Sequence, residues 1–426
     1  QGNVVLGSLR IRQDVLLARG HMAQYDDLDP NTSPSLMALA RIRQLSAHEV
    51  GHTLGLDHNM AASTNNRASV MDYPAPLVRV TNGKLDLSHA YATGVAAYDI
   101  AAIRYTYAQF APGANEEAEL NRLAKATPLF VSDPHSRPVS GAHPLGSVWD
   151  NGEDPLAMLR NEIEVRRIAL EQFGTRNIDK GRPFSALEEA LLPLYLHHRY
   201  QLEAAAKSIG GVYFTYAVKE SDDAAPVVQT IVQTIVPRQA QRDALALLAS
   251  TLDPRFLELP RRIIDLIPPP AYAHGDANTE LFPRRTDPVF DPIAAAMTSA
   301  DLTVSALLDP ARSARLTQQP DNLTMREVTD ALVDVALQQG AISRATRTLI
   351  MTRLAELANN LEAAPQVRSE ASDALRRLSA RLAAQVGDAA EAAHRRTTRD
   401  EIERFLAHPE TWKASVIPTV PPGPPI

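Results

Sequence analysis

Three histidines and a glutamate occur within eleven residues of this chain, at spacings that suit a catalytic metal ion. The stretch reads His48-Glu49-Val50-Gly51-His52-Thr53-Leu54-Gly55-Leu56-Asp57-His58. His48 and His52 are four residues apart, so on a helix their imidazoles lie one turn apart on the same face. Gly55 can adopt the positive φ that ends a helix, and the turn would bring His58 round as a third ligand. Three protein ligands leave one position of a tetrahedral zinc ion open for water, so the pattern predicts a catalytic zinc site, with Glu49 beside it.

This arrangement is the H-E-x-x-H-x-x-G-x-x-H pattern, and with it the sequence resembles the metzincin clan of zinc metalloproteases. A second mark of that clan is a methionine turn beneath the metal. Met71, within the segment Ser69-Val70-Met71-Asp72-Tyr73, is the candidate for that turn and offers a polarizable apolar floor. Tyr73 stands two residues after Met71, where the astacin-like and serralysin-like families carry a tyrosine near the zinc. The two marks occur in the order that the clan requires.

The resemblance implies a mechanism for hydrolysis of peptide bonds. Glu49 would act as the general base on a water molecule and then protonate the departing amine. Tyr73 would either donate a hydrogen bond to the tetrahedral oxyanion or serve as a packed or metal-ligating phenol. Asp57, next to the third ligand, could orient that ligand or simply be a surface acid.

Other parts of the chain extend the likeness beyond the zinc motif. The stretches that carry it are Tyr98-Asp99-Ile100-Ala101-Ala102-Ile103-Arg104-Tyr105, Trp149-Asp150-Asn151-Gly152 and Pro421-Pro422-Gly423-Pro424-Pro425-Ile426. They resemble large bacterial zinc-dependent metzincins, which carry the zinc site near the middle and a long C-terminal region after it. The resemblance implies a protein or peptide substrate and an extracytoplasmic location, either secreted or periplasmic.

Composition sets further bounds on the class of protein. The 426 residues are 45% hydrophobic and 22% charged, which is ordinary for a globular protein of two or three domains. The net charge of −7 gives no reason to expect nucleic acid or an anionic membrane surface as a partner. No apolar run reaches the length of a membrane span. The absence of cysteine excludes disulfides, thiolate zinc ligands and a cysteine nucleophile.

The fold class that we predict is α+β, in three regions. Residues 1–110 form a metzincin-like catalytic region with the zinc helix and methionine turn. Residues 111–154 form a Pro/Gly/Asp-rich connector, and residues 155–426 form a mainly α-helical C-terminal region. Apolar periodicity predicts the local elements. They are a strand over 3–17, a zinc helix capped by Ser33 or Ser35 and running to about Leu54, and a short turn or hairpin over 78–87. A helix over 88–108 follows, and then a long helix from a capping box at Ser185 to Gly210, which Pro193 could kink.

The connector contains several side chains that bind metals in other proteins. They are Asp133, His135, His143, Asp150 and Asp154. With loop carbonyls, the carboxylates could hold Ca²⁺ as a second metal. No EF-hand-like or repeat spacing is present, however, so an ordered connector with turn chemistry is the favoured interpretation.

Two alternative functions are open, and an upstream part of the catalytic domain is expected outside this sequence. The protein could be a binding or scaffold module that retains a metal site, or a zinc hydrolase of a non-peptide amide or of cell-wall material. Glu49 argues against the scaffold, which has no chemical need for that carboxylate. Only 47 residues precede His48, whereas metzincin catalytic domains place a twisted sheet and a helix there, on the order of a hundred residues. We therefore expect an upstream fragment of the same precursor to complete the domain, and this chain alone to hydrolyse peptides weakly or not at all.

Overall fold

Helices dominate the protein, with two short antiparallel hairpins. The structure, a computed structural model, describes residues 8–22, 33–218, 232–271, 280–319 and 322–421, with side chains from residue 12. It belongs to the α+β class with a long helical part, as predicted. The helices are α1 (Ser8–Met22), α2 (Pro34–Thr53), α3 (Ala97–Tyr107), α4 (Glu116–Lys125), α5 (Asp133–Ser136), α6 (Pro155–Gln172), α7 (Leu187–Tyr195), α8 (Arg199–Ala206), α9 (Arg238–Ser250), α10 (Pro254–Leu257), α11 (Arg261–Ile264), α12 (Pro292–Leu307), α13 (Pro310–Gln318), α14 (Met325–Ala336), α15 (Ala341–Asn359), α16 (Pro365–Ala383) and α17 (Ala389–Ala407). The strands are β1 (Arg79–Thr81), β2 (Lys84–Asp86), β3 (Val212–Phe214) and β4 (Gln233–Ile235), paired β1 with β2 and β3 with β4.

Helix α2 carries the zinc motif and has the boundaries that its sequence predicts. Ser33 is the N-cap, and its hydroxyl accepts a hydrogen bond from the backbone N–H of Leu36 at 3.2 Å. Pro34 follows at the first helical position, where its missing N–H costs nothing. The helix ends at Thr53, and Gly55 turns the chain with φ of +82°.

The N-terminal segment is a helix, so the prediction of a strand there is wrong. Its residues 3–7 lie outside the described part, but α1 runs from Ser8 through the rest of it. Leu17, Ala18 and Met22 are buried in a core shared with α2 and α7. The apolar pattern did not predict the helix, because polar residues form part of its buried face. Asp14 is buried and accepts a hydrogen bond from the Tyr91 hydroxyl at 2.7 Å, which offsets the cost of its burial.

Two predicted helices have different limits in the structure. The helix expected over 88–108 begins only at Ala97, and two of its apolar residues, Ile100 and Tyr107, are 43% and 55% exposed. The long helix expected from Ser185 is two helices, α7 and α8, and the N-cap of α7 is Ala186, with no side-chain cap. Pro193 removes a backbone donor near the end of α7, which weakens the helix where it stops.

The described part of the protein has two hydrophobic cores, and one of them joins the predicted catalytic and helical regions. It packs α1 and the β2 hairpin strand against α6 and α7, with Leu17, Leu85, Leu170 and Leu191 among its buried members. The other core lies wholly beyond residue 155 and is centred on α12 and α14–α16. The zinc helix therefore sits on a body built from both regions. None of the described helices is long and apolar enough to cross a membrane.

Candidate metal centre

One face of α2 is fastened to the methionine turn. His48 donates from Nδ1 to the carbonyl oxygen of Val70 at 2.7 Å, and Gln44 donates its amide to the same carbonyl at 3.2 Å. One turn further along, Gly51 faces Met71. A Cβ added to Gly51 would lie 2.2 Å from the Met71 sulfur, and Met71 is fully buried. Glycine is therefore required here by space, because the thioether occupies the place of a side chain.

A carboxylate that the sequence analysis did not single out holds the methionine turn from its other side. Asp99, in the first turn of α3, is buried and accepts hydrogen bonds from the Ser69 hydroxyl at 2.6 Å and the Val70 N–H at 3.0 Å. It also accepts from the N–H of Ala96 at 2.8 Å, which completes the start of the helix. All three donors therefore bond to the Asp99 carboxylate. The methionine turn is held by α2 on one side and by α3 on the other.

The structure brings the three predicted ligands together. The Nε2 atom of His48 lies 3.1 Å from that of His52 and 3.1 Å from that of His58, and the last two are 3.0 Å apart. A tetrahedral zinc ion with nitrogen ligands at about 2.0–2.1 Å separates those nitrogens by roughly 3.3–3.4 Å. The triangle of Nε2 atoms therefore has nearly the size that zinc requires.

The hydrogen bonds of the other ring nitrogens show what this triangle can bind. Besides the bond from His48, His52 donates from Nδ1 to the Leu56 carbonyl at 2.9 Å, and His58 lies with Nδ1 2.5 Å from Oδ2 of Asp133. All three acceptors are oxygens, so each Nδ1 carries the proton and each Nε2 presents a lone pair. Three lone pairs that face one another at 3.0–3.1 Å cannot bond to each other, and a cation relieves their repulsion. The donor set thus fits Zn²⁺.

Burial helps to keep the first of these rings neutral. His48 is completely buried, and burial lowers the pKa of its imidazole to about 4, with further lowering by His52, His58 and Arg41. The hydrogen bond to Val70 acts in the opposite direction. A neutral imidazole is the form that binds a metal, so the ligand is ready at neutral pH.

Asp133 comes from the predicted connector and orients the third ligand. It opens the short helix α5, and the neighbouring loop is tied to the ligand segment by Asn59. Asn59 donates its amide to the Leu129 carbonyl at 2.8 Å and accepts from the Val131 N–H at 3.2 Å. Asp57 has a different place: it is exposed and accepts the backbone N–H of His58 at 3.0 Å. Asp133 therefore supports the imidazole, whereas Asp57 supports the turn.

Three side chains from the helical region hold the loop that carries Asp133. Tyr216, just beyond β3, has its hydroxyl 3.1 Å from the N–H of Ser132 and 2.8 Å from Nδ1 of His135. Lys207 donates its buried ammonium to the Ser136 carbonyl at 2.5 Å and the Gly146 carbonyl at 2.8 Å. Arg312 donates to the Val139 carbonyl at 2.5 Å. The position of the orienting carboxylate thus depends on residues far along the chain.

The remaining acidic residues of the connector have separate roles in the described structure. Asp154 caps α6 by accepting the Leu156 N–H at 2.8 Å. Asp150 is buried with its Oδ2 3.3 Å from the Ser63 hydroxyl, and burial raises the pKa of its carboxyl to about 7. Among the described residues, the groups that could hold a metal are the histidine triangle and the set Asp57, His58 and Asp133. Of the connector's acids, Asp133 alone belongs to one of these groups in the described structure.

Glu49 follows the ligand His48 on α2, and Tyr73 lies beside the histidine triangle. Glu49 is half-buried and makes no hydrogen bond or ion pair with any residue that the structure describes. The Tyr73 ring packs on two ligands, with its centroid 4.5 Å from the His48 ring and 4.9 Å from the His58 ring. Tyr73 therefore packs on the predicted ligands, whereas Glu49 is their neighbour in sequence, and the catalytic roles of both stay predictions.

Comparison with known protein families identifies the family of this chain. The profile of a protein family described as Met-zincin matches residues 30–343, about three quarters of the chain, which include the ligands, the methionine turn and Asp133. No curated protein and no solved structure matched the chain.

Proposed function

The chain belongs to the Met-zincin family, of the metzincin clan of zinc metalloproteases, and from that premise we propose that it is a zinc-dependent endopeptidase with Glu49 as general base. The observation that carries the proposal is the convergence of three Nε2 lone pairs, each fixed by a hydrogen bond at Nδ1. The ligands we assign are His48, His52 and His58.

Zinc bound at these ligands would lower the pKa of a water molecule and polarise the carbonyl of the scissile peptide bond. Glu49 follows the first ligand on α2, and no neighbour in the described structure engages its carboxylate. It is free to accept the proton of the attacking water and to return it to the departing amine. The Tyr73 hydroxyl, from a ring that packs on two ligands, would donate a hydrogen bond to the oxygen that becomes negative.

The substitution Glu49→Gln tests the proposal. The amide can hold a water molecule but cannot accept its proton at neutral pH, so the variant should retain one zinc per chain and lose hydrolysis. Zinc content is measured on purified protein, and hydrolysis by mass spectrometry of a mixed-peptide digest. Near-normal turnover by the variant would refute the role of Glu49.

Two further outcomes separate the alternatives. A wild-type chain that binds zinc but cleaves neither the peptide mixture nor folded protein, even with an upstream fragment supplied, would favour a scaffold role. Cleavage of small amides without cleavage of peptides would favour a hydrolase of another amide class.

A further inference from the structure

Arg137 lies beside the metal centre and has no role in the mechanism above. It follows α5, and its Nε donates to Oδ1 of Asp133 at 2.9 Å. The other oxygen of that carboxylate holds the His58 ring. The Asp133 carboxylate therefore bridges Arg137 and the third ligand, and it fixes the position of the Arg137 Nε atom.

The guanidinium group lies at the rim of the proposed active site. Its Cζ atom is 5.4 Å from the centroid of the Tyr73 ring, which also packs on the rings of His48 and His58. A cation over an aromatic face is held there by the ring's quadrupole. The Arg137 side chain is 45% exposed, so it remains open to a molecule that enters the site.

The outer end of this guanidinium group is unused. Its two terminal nitrogens, with four N–H donors, make no hydrogen bond with any residue in the described ranges. Arg122 offers a contrast on α4, because both its Nε and its Nη2 are paired with Glu119, at 2.9 and 2.8 Å. A guanidinium fork matches the geometry of a carboxylate, which it binds through two parallel hydrogen bonds.

We propose that Arg137 is a specificity-determining residue that binds a carboxylate of the substrate next to the scissile bond. This inference rests on the proposed peptidase function. The carboxylate can belong to an Asp or Glu side chain or to the C-terminus of the peptide. The chemistry of recognition is the same in both cases, and matched peptides separate them.

The test measures binding to the zinc-loaded Glu49→Gln variant, in which bound peptides stay intact. Peptides are compared in pairs that differ by Glu or Gln at one position, each with a free or amidated C-terminus. Calorimetry should show tighter binding of one carboxylate form, by at least about tenfold, because the two hydrogen bonds of the fork are charge-assisted. The pair that shows the difference identifies the source of the carboxylate.

Arg137→Gln in the same background should abolish this discrimination, and Arg137→Lys should retain only part of it, because lysine keeps the charge without the fork. Arg122→Gln is the matched control and should leave the discrimination unchanged. Equal binding of both members of every pair, or discrimination that survives Arg137→Gln, would overturn the proposal. A weakened zinc affinity with unchanged discrimination would also overturn it, since Arg137 would then only hold Asp133. Intact discrimination in a protein without any hydrolytic activity would count against the proposed function alone.

Discussion

Asp133 provides the sharpest test of how this metal centre is built. Two of the three ligand rings are oriented by backbone carbonyls, at Val70 and Leu56, which a substitution does not remove. The ring of His58 alone is oriented by a side chain, the Asp133 carboxylate, at 2.5 Å. Substitution of Asp133 therefore changes the support of one ligand and leaves the ligand set intact.

The expected size of the effect follows from what each variant leaves in place. Loss of a side chain that supports a metal ligand typically weakens metal binding by about 10- to 100-fold, or about 1.4–2.7 kcal/mol. Asp133→Asn keeps an oxygen that can accept from Nδ1 of His58 but loses the charge, so we expect about a tenfold rise in the Kd for zinc. Asp133→Ala leaves Nδ1 without an acceptor and should approach about a hundredfold.

Competition with a chromogenic chelator measures the Kd for zinc, and circular dichroism checks that each variant is folded. Asp57→Asn is the control, because Asp57 is exposed and, within the described ranges, accepts the backbone N–H of His58 and no ring nitrogen. It should change the zinc Kd by less than about threefold. A Kd for Asp133→Ala within twofold of wild type would show that Asp133 does not support His58, as would an equal loss in the Asp57 variant.

Three other predictions follow from the same structure. His52→Ala should reduce bound zinc from one ion per chain to none at micromolar concentration, because two histidines hold the ion poorly. Gly51→Ala should lower the free energy of unfolding by about 1–3 kcal/mol, since the new methyl group would overlap the Met71 sulfur. His21 is buried, which lowers its pKa from 6.5 to about 3, with a further contribution from His197. Only the unfolded chain then takes up this proton between those values, so stability should fall on acidification below pH 6.5, by roughly 2 kcal/mol at pH 5.

Each of these predictions has its own check. Full zinc occupancy of His52→Ala by elemental analysis would show that the ligand is misassigned. The Gly51 effect should shrink when Met71 is also replaced by Ala, and strictly additive losses in urea unfolding would exclude the clash. For His21, wild type should lose about 2 kcal/mol more than His21→Asn between pH 7.5 and pH 5. Parallel pH profiles of the two proteins would count against the buried neutral imidazole.

The features of α2 that the sequence predicts depend on interactions between residues close in sequence. The spacing of the zinc motif fixes which imidazoles share a face of α2, and that is a property of the helix itself. Ser33 as cap and Gly55 as the turning residue also depend only on their neighbours in sequence. The prediction of a strand at the N-terminus failed because Asp14 is buried by a partner from a distant segment, Tyr91, which no periodicity reveals.

The sequence alone predicts the candidate metal chemistry: three nitrogen ligands, an adjacent carboxylate and a methionine turn. The acid that supports the third predicted ligand is visible only in the folded structure. Sequence proximity pointed to Asp57, whereas the ring of His58 contacts Asp133, 75 residues away. That loop is in turn held by Lys207 and Arg312, from the helical region. The physical reason is that a hydrogen bond across a fold is set by how distant elements pack, and a sequence pattern records only what a residue's near neighbours impose.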